Sequence, residues 1–306
     1  MSQTISARPL QAMARPESPW LALYRSYMKD RVSAVALVVL ACTLLVALAA
    51  PWISPQDPYD LAQVSVIDSE LPPGSMDASS THRFLLGTDA AGRDVLSAIF
   101  YGLRISIAVG IASALIAMFA GTALGLIAAH FGGRVDALVM RIVDLQLSFP
   151  TLLVALMLLA TLGQGADKTL LALIIVQWAY YARNVRGCAM VERRKEYVEA
   201  AMGQGLPAWR VMFRHILPNC VAPLLVTATL QTAHAITLEA TMSFLGIGLP
   251  PTKPSLGLLI ANGFSYLMTN KFWISVYPGL ALVLLVGSIN LVGDRLRVVL
   301  NPKNEG

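Results

Sequence analysis

Residues 192 to 219 hold the densest run of side chains able to build a recognition surface. Glu199, Ala200, Ala201 and Met202 are good helix formers that follow the charged residues from Glu192 to Glu196, so one short helix is predicted there. Gly205 supplies a backbone free to take positive φ, and Pro207 suits the first turn of a second helix. On that second helix Trp209, Met212 and Phe213 fall at i, i+3 and i+4, an apolar stripe with Arg210 and Arg214 on a neighbouring face. Such a stripe needs cover, either from this chain's own helices or from a groove on another protein. His215-Ile216-Leu217-Pro218-Asn219 then leads into an apolar run.

Elsewhere the residues that could do covalent chemistry are scattered. No GxxxxGK[ST] phosphate loop, GxSxG elbow or HExxH pair is present, so no catalytic residue is predicted and the chain is not expected to hydrolyse ATP by itself. His82, His130, His215 and His234 lie on separate segments without metal-site spacing, and Cys42, Cys188 and Cys220 form no CxxC, so neither a metal site nor a disulfide framework is expected. Asp144 and Arg141 are three residues apart on one helical face and are expected to pair, because a bare carboxylate at mid-bilayer costs about 3 kcal/mol. His234 and Glu239, five residues apart near the outer end of an apolar run, are candidates for lining a water-filled path; the alternative is a stabilising contact with a neighbouring helix. In the turn Leu86-Gly87-Thr88-Asp89-Ala90-Ala91-Gly92-Arg93-Asp94, the charged groups are expected to pair internally and cap the following helix.

The elements that must position these residues are membrane helices. Hydrophobic residues make up 56% of the 306 and charged residues 13%, about half the charged share of a soluble domain. Continuous apolar runs near 32–53, 105–129, 143–162, 168–187, 217–238 and 272–293 predict an all-α integral membrane fold with six spans, the fourth having a short apolar core from Leu170 to Ala182. With the N-terminus inside, only Arg83, Arg93, Arg104, Lys168, Lys253 and Lys271 of the 23 Lys and Arg fall outside or at that interface, as the positive-inside rule requires. Both termini and the 192–219 loop are then cytoplasmic, and the net charge of +5 is explained by loop anchors rather than by nucleic acid. Ala47-Leu48-Ala49 could pass for a signal-peptidase site, but the long flanking segments predict an uncleaved anchor. The predicted organisation is a tail and interfacial helix over 1–31, the first span over 32–53, an acidic external loop over 54–102, a five-helix core over 103–296 and a tail over 297–306.

The string EAAMGQG, nine residues, then HILPN resembles the EAA loop of ATP-binding-cassette importer permeases, where the membrane subunit grips its ATPase. LGTDAAGRDVLS before the second span, Phe131-Gly132-Gly133-Arg134-Val135-Asp136, Glu239-Ala240-Thr241-Met242-Ser243-Phe244-Leu245-Gly246 and Val292-Gly293-Asp294-Arg295 resemble, in order, segments of the C-type permease of the dipeptide and oligopeptide transporter family. Leu256 departs from the aromatic residue that many relatives carry there. The resemblance implies a type I importer permease fold in a bacterial plasma membrane. It also implies a homologous B-type permease as partner, two cytoplasmic ATP-binding subunits carrying ATP-Mg, and an external solute-binding protein. It assigns ATPase coupling to Glu199, Ala200, Ala201, Gly205, Trp209, Met212, Phe213 and Pro218. The rival class, a secondary transporter or channel acting alone, predicts internal repeats and intramembrane charges at matching positions, which the chain does not clearly show.

Overall fold

The computed structural model describes residues 25–300 apart from 61, 81, 251 and 254. The interfacial segment around Trp20 to Tyr24 and the last six residues lie outside the described residues. Nine helices of eight or more residues are present among those described: α1 Arg31–Ile53, α2 Val95–Phe131, α3 Gly133–Ser148, α4 Thr151–Leu162, α5 Ala166–Arg193, α6 Glu196–Gly203, α7 Ala208–Phe244, α8 Leu256–Phe264 and α9 Trp273–Val299. No strand occurs among the described residues, only two isolated bridges. The all-helical architecture expected from continuous apolar runs is therefore present.

The helix ends follow local chemistry. The Asp30 carboxylate accepts from the amides of Val32 and Ser33, both at 3.3 Å, and from the Ser33 hydroxyl at 2.5 Å, which starts α1. The Asp94 carboxylate accepts from the Ser97 amide at 2.9 Å and hydroxyl at 2.6 Å, starting α2 ten residues earlier than the apolar run near 105 suggested. At 37 residues α2 is about 55 Å long, against about 30 Å of hydrocarbon, so one end projects well beyond the apolar layer.

One of the six expected spans is corrected. The run near 143–162 is not one helix: α3 and α4 meet at 91°, because Pro150 forces Phe149 into extended backbone (φ −95°, ψ 146°). By length and composition α1, α2, α7 and α9 can each cross a membrane, with the α3–α4 pair a fifth if counted as one broken span. The helix α5 has 28 residues but does not pass on composition, since Asp167, Lys168, Gln177, Arg183, Asn184 and Arg186 interrupt it. The expected Arg141–Asp144 pair is also replaced. Asp144 pairs instead with Arg183 on α5, tying two helices together rather than two turns of one.

The centre of the bundle is the α2–α5 contact. Gly121 and Gly125, four apart on α2, face the backbone of α5: a Cβ at Gly121 would lie 2.3 Å from the Trp178 carbonyl, and one at Gly125 2.6 Å from that of Ala182. Side-chain-free positions one turn apart are what allow two helix backbones to approach this closely. Around this seam one apolar cluster joins Ile99, Leu103, Ile236, Trp273 and Leu285, and a second joins Leu126, Tyr181, Val185, Val198, Val211 and Ile216. At the end of the bundle near the 54–94 loop, the Asp89 carboxylate takes the Arg93 guanidinium at 2.7 Å and its amide at 3.0 Å. The Trp273 indole donates to the Thr88 carbonyl at 3.2 Å. The charged groups of that turn are thus used internally.

Candidate coupling site

At the opposite end of α5, the chain makes an elbow of α6, a glycine turn and the start of α7. The helix α6 closes on Gly205 at φ +77°. The Gly205 amide donates to Met202 at 3.0 Å and the Leu206 amide reaches back to Ala201 at 3.3 Å, a Schellman closure whose left-handed residue is most easily glycine. Pro207, in extended backbone, precedes the first turn of α7.

Six residues of α7, Val211–Ile216, are π-helical. The cause lies just beyond, at Pro218. It has no amide hydrogen for the Arg214 carbonyl, and its ring crowds that carbonyl, so the helix widens and the Leu217 amide bonds five residues back to Met212. The carbonyl of His215 accepts from the Asn219 side-chain amide at 2.9 Å, with the Tyr197 hydroxyl oxygen 3.3 Å away. Tyr197 gives its one proton to Glu192 at 2.8 Å and accepts from the Asn219 amide at 3.0 Å, and Lys195 closes an ion pair on the other Glu192 oxygen at 2.7 Å. Burial raises the tyrosine's pKa, and the hydrogen bond to Glu192 adds to the rise, bringing it to about 12. Tyr197 is therefore a neutral hydroxyl at physiological pH, able to donate. Sequence spacing gives Tyr197 no role and Glu192 and Asn219 no partner across the elbow; the fold brings them together.

The elbow has two faces. Val198, Val211, Met212 and Ile216 are buried against Leu126, Tyr181 and Val185, and Ala201 is buried as well. Glu199, Ala200, Gly205, Trp209, Phe213 and Pro218 are exposed. The expected single stripe of Trp209, Met212 and Phe213 is therefore split: Met212 is 7% exposed and Trp209 59%, because the π turn rotates successive residues off the α-helical register. Met212 fastens the elbow to its own bundle, while Trp209 and Phe213 leave two large rings uncovered. The Arg210 guanidinium lies 5.4 Å from the centre of the Trp209 ring, a cation–π contact that orients the indole. Behind the elbow, Arg186 grips Asp136 through two hydrogen bonds of 2.5 Å, and Arg193 donates to the Ala129 carbonyl at 2.9 Å. The α2–α3 turn is thereby tied to the end of α5 that carries the elbow.

The two path candidates part company. Glu239 is fully buried, with the hydroxyls of Ser106 at 2.9 Å and Ser243 at 2.8 Å donating to its two oxygens. Those serines in turn accept from the amides of Leu256, at 3.4 Å, and Leu249, at 3.3 Å, so Glu239 joins α7 to α2 and to the segment leading into α8. His234 instead lines a separate cavity of about 340 Å³ with Tyr180, Gln231, Thr237 and Asn290. Its Nε2 has no partner among the described residues. Glu239→Leu is expected to strand two buried hydroxyls at about 1–3 kcal/mol each, whereas glutamine keeps an acceptor. Complex yield and melting temperature should therefore fall together for leucine and stay near wild type for glutamine. A glutamine variant that assembles normally but does not transport would instead place the carboxylate's charge in the path.

The chain matches the family described as binding-protein-dependent transport system inner membrane component over residues 121–306. It also matches the N-terminal transmembrane domain of oligopeptide transport permease C over residues 18–73. It is 38% identical to the di/tripeptide transport system permease protein DppC of Pseudomonas aeruginosa, over 94% of this chain and 93% of that protein. It is 35% identical to the dipeptide transport system permease protein DppC of Haemophilus influenzae, over 94% and 96%. It is 37% identical to the glutathione transport system permease protein GsiD of Pectobacterium atrosepticum, over 94% and 92%. The chain belongs to the binding-protein-dependent transport permease family and is a membrane subunit of a type I ABC importer.

Proposed function

We propose that the chain is the C-type permease of a dipeptide or oligopeptide importer. It pairs with a homologous B-type permease, receives cargo from an external solute-binding protein, and is driven by two cytoplasmic ATP-binding subunits that hydrolyse ATP-Mg. The observation that carries this reading is the two-faced elbow: one side is bonded into the bundle, and the other presents Trp209 and Phe213 uncovered. Exposed aromatics on a rigid support are what a docking partner anchors on. The names of the relatives, which include dipeptides, tripeptides and glutathione, favour a small peptide as cargo.

Motion at the docked elbow has a short route into the membrane. The same chain segment continues into α7, and Tyr197 clamps α6 to Asn219 near the start of that helix. A displacement of α6 therefore moves α7, which carries His234 and the cavity it lines. His234 is the path residue of this reading, and Glu239 holds α7 against α2 and α8. His234→Gln is expected to lower uptake without lowering complex yield.

The orientation is cytoplasmic termini and elbow, with the 54–94 loop outside. In a cysteine-free background, cysteines at Ser79 and Gln204 should be labelled by an impermeant thiol reagent from opposite sides, and labelling of both from outside overturns the orientation. Affinity purification of the tagged chain should bring down ATP-binding subunits, and peptide uptake should stop when ATP is depleted. Uptake by the chain alone, reconstituted in vesicles, would instead make it a secondary transporter.

A further inference from the structure

Helices α1 and α9 lie side by side but do not close. Between them runs a groove of about 450 Å³ lined by Val32, Val35, Val39, Leu284, Gly287 and Leu291, with Arg31 at its end. The space is left by small residues: a Cβ built on Gly287 meets nothing within 4 Å. From Arg31 to Val39 the groove follows α1 for about 12 Å, close to the depth of one leaflet, half of about 30 Å. Its walls are aliphatic and open outward, with Val35 62% and Leu284 57% exposed.

The mouth of the groove is cationic. Lys29 and Arg31 are exposed and have no hydrogen bond or ion pair among the described residues. Asp30 between them brings one negative charge against two positive ones, so the mouth keeps a net positive charge. From α9, Arg295 crosses to donate to the Ser26 carbonyl, bringing a third cation to the same end, and its Nε is buried without a partner among the described residues. An aliphatic slot one leaflet deep below a cluster of cations at the interface matches one amphiphile: two or more methylene-rich chains beneath an anionic phosphate.

We propose that the α1–α9 groove is a binding site for one anionic phospholipid, with its phosphate on Lys29 and Arg31 and an acyl chain against Val35, Val39 and Gly287. The leaflet it occupies follows from the orientation proposed above and is the cytoplasmic one; the site itself does not depend on the identity of the cargo. The lipid fastens α1, of which only Ser33, Ala36, Ala47 and Ala50 are buried, to the last helix of the bundle.

The test uses the intact transporter complex, delipidated in mild detergent and offered phosphatidylglycerol or phosphatidylethanolamine with the same acyl chains, with retained lipids counted by native mass spectrometry. Wild type is expected to retain one phosphatidylglycerol in preference to phosphatidylethanolamine. Arg31→Gln should weaken that retention about fivefold, as loss of one interfacial cation does, and Gly287→Phe should abolish it by filling the slot. A photoreactive benzoylphenylalanine at Val35 should give a lipid adduct. Equal retention of both lipids, unchanged retention in the variants, or an adduct to a polypeptide each overturns the proposal, the last by placing a partner helix in the groove. Should Gly287→Phe fail to assemble, Arg31→Gln, at an exposed side chain, decides the matter. Failure of the importer reading would appear separately, as absence of copurifying ATP-binding subunits, and leaves the lipid count unaffected.

Discussion

Replacing Trp209 with alanine is expected to weaken attachment of the ATP-binding subunits about thirtyfold while leaving insertion and folding of the chain intact. Truncating a central aromatic anchor commonly costs 2 kcal/mol or more, which is that factor in affinity. The folded chain loses little, because the indole is 59% exposed and its cation–π pairing is with Arg210, its neighbour in sequence. Gly205→Val should weaken docking by a different route. Nothing lies within 4 Å of a Cβ there, so there is no clash, but a β-branched residue at φ +77° is strained and the Schellman closure opens. The measurement is the dissociation constant of the ATP-binding subunits for the permease pair in nanodiscs, alongside melting temperature. Wild-type affinity in the Trp209 variant would remove the exposed face of the elbow as the docking surface. A parallel fall in melting temperature would mean that the indole serves the fold instead.

The second large effect is at the α2–α5 seam. Gly121→Val or Gly125→Val should destabilise the bundle by about 3 kcal/mol or more, at or beyond the upper end of ordinary overpacking, because the atoms in the way are backbone carbonyls and cannot rotate aside. A new Cβ would stand 2.3 Å from the Trp178 carbonyl at the first position and 2.6 Å from the Ala182 carbonyl at the second. Gly187, on α5 itself, is the matched control: a Cβ there has nothing within 4 Å, so valine should be neutral or slightly stabilising through helix propensity. Melting of the purified complex in detergent, followed by fluorescence, separates the two cases. Equal melting temperatures for the Gly125 and Gly187 variants would mean that α2 and α5 do not pack this closely in the membrane.

Much of the elbow was readable before any fold was known, and particular residues explain why. Gly205 at the end of a run of helix formers announces a left-handed turn from its own chemistry, since no other residue takes that backbone at comparable ease, and the structure has it at φ +77°. Asp94 three residues before Ser97 is a cap whose partners are its immediate neighbours. The membrane class follows from composition alone. The single stripe expected of Trp209, Met212 and Phe213 breaks for a comparably local reason: it depends on α-helical register, and residues 211–216 before Pro218 are π-helical.

What the sequence by itself determined, then, is what depends on short range: helical membrane spans, the elbow and its glycine, the capped turn before α2, and the family to which their order belongs. The tertiary structure alone decided which groups meet across long separations. Asp144 found Arg183 rather than Arg141; Glu239 found Ser106, 133 residues away; and Tyr197 found Asn219 on the next helix. Gly121 and Gly125 became the seam only when α5 was laid against them. A buried carboxylate, hydroxyl or bare backbone must be satisfied in apolar surroundings, and many residues of the right type compete as partners along the chain. The packing of helices, not their spacing in sequence, brings one of those partners within 3 Å.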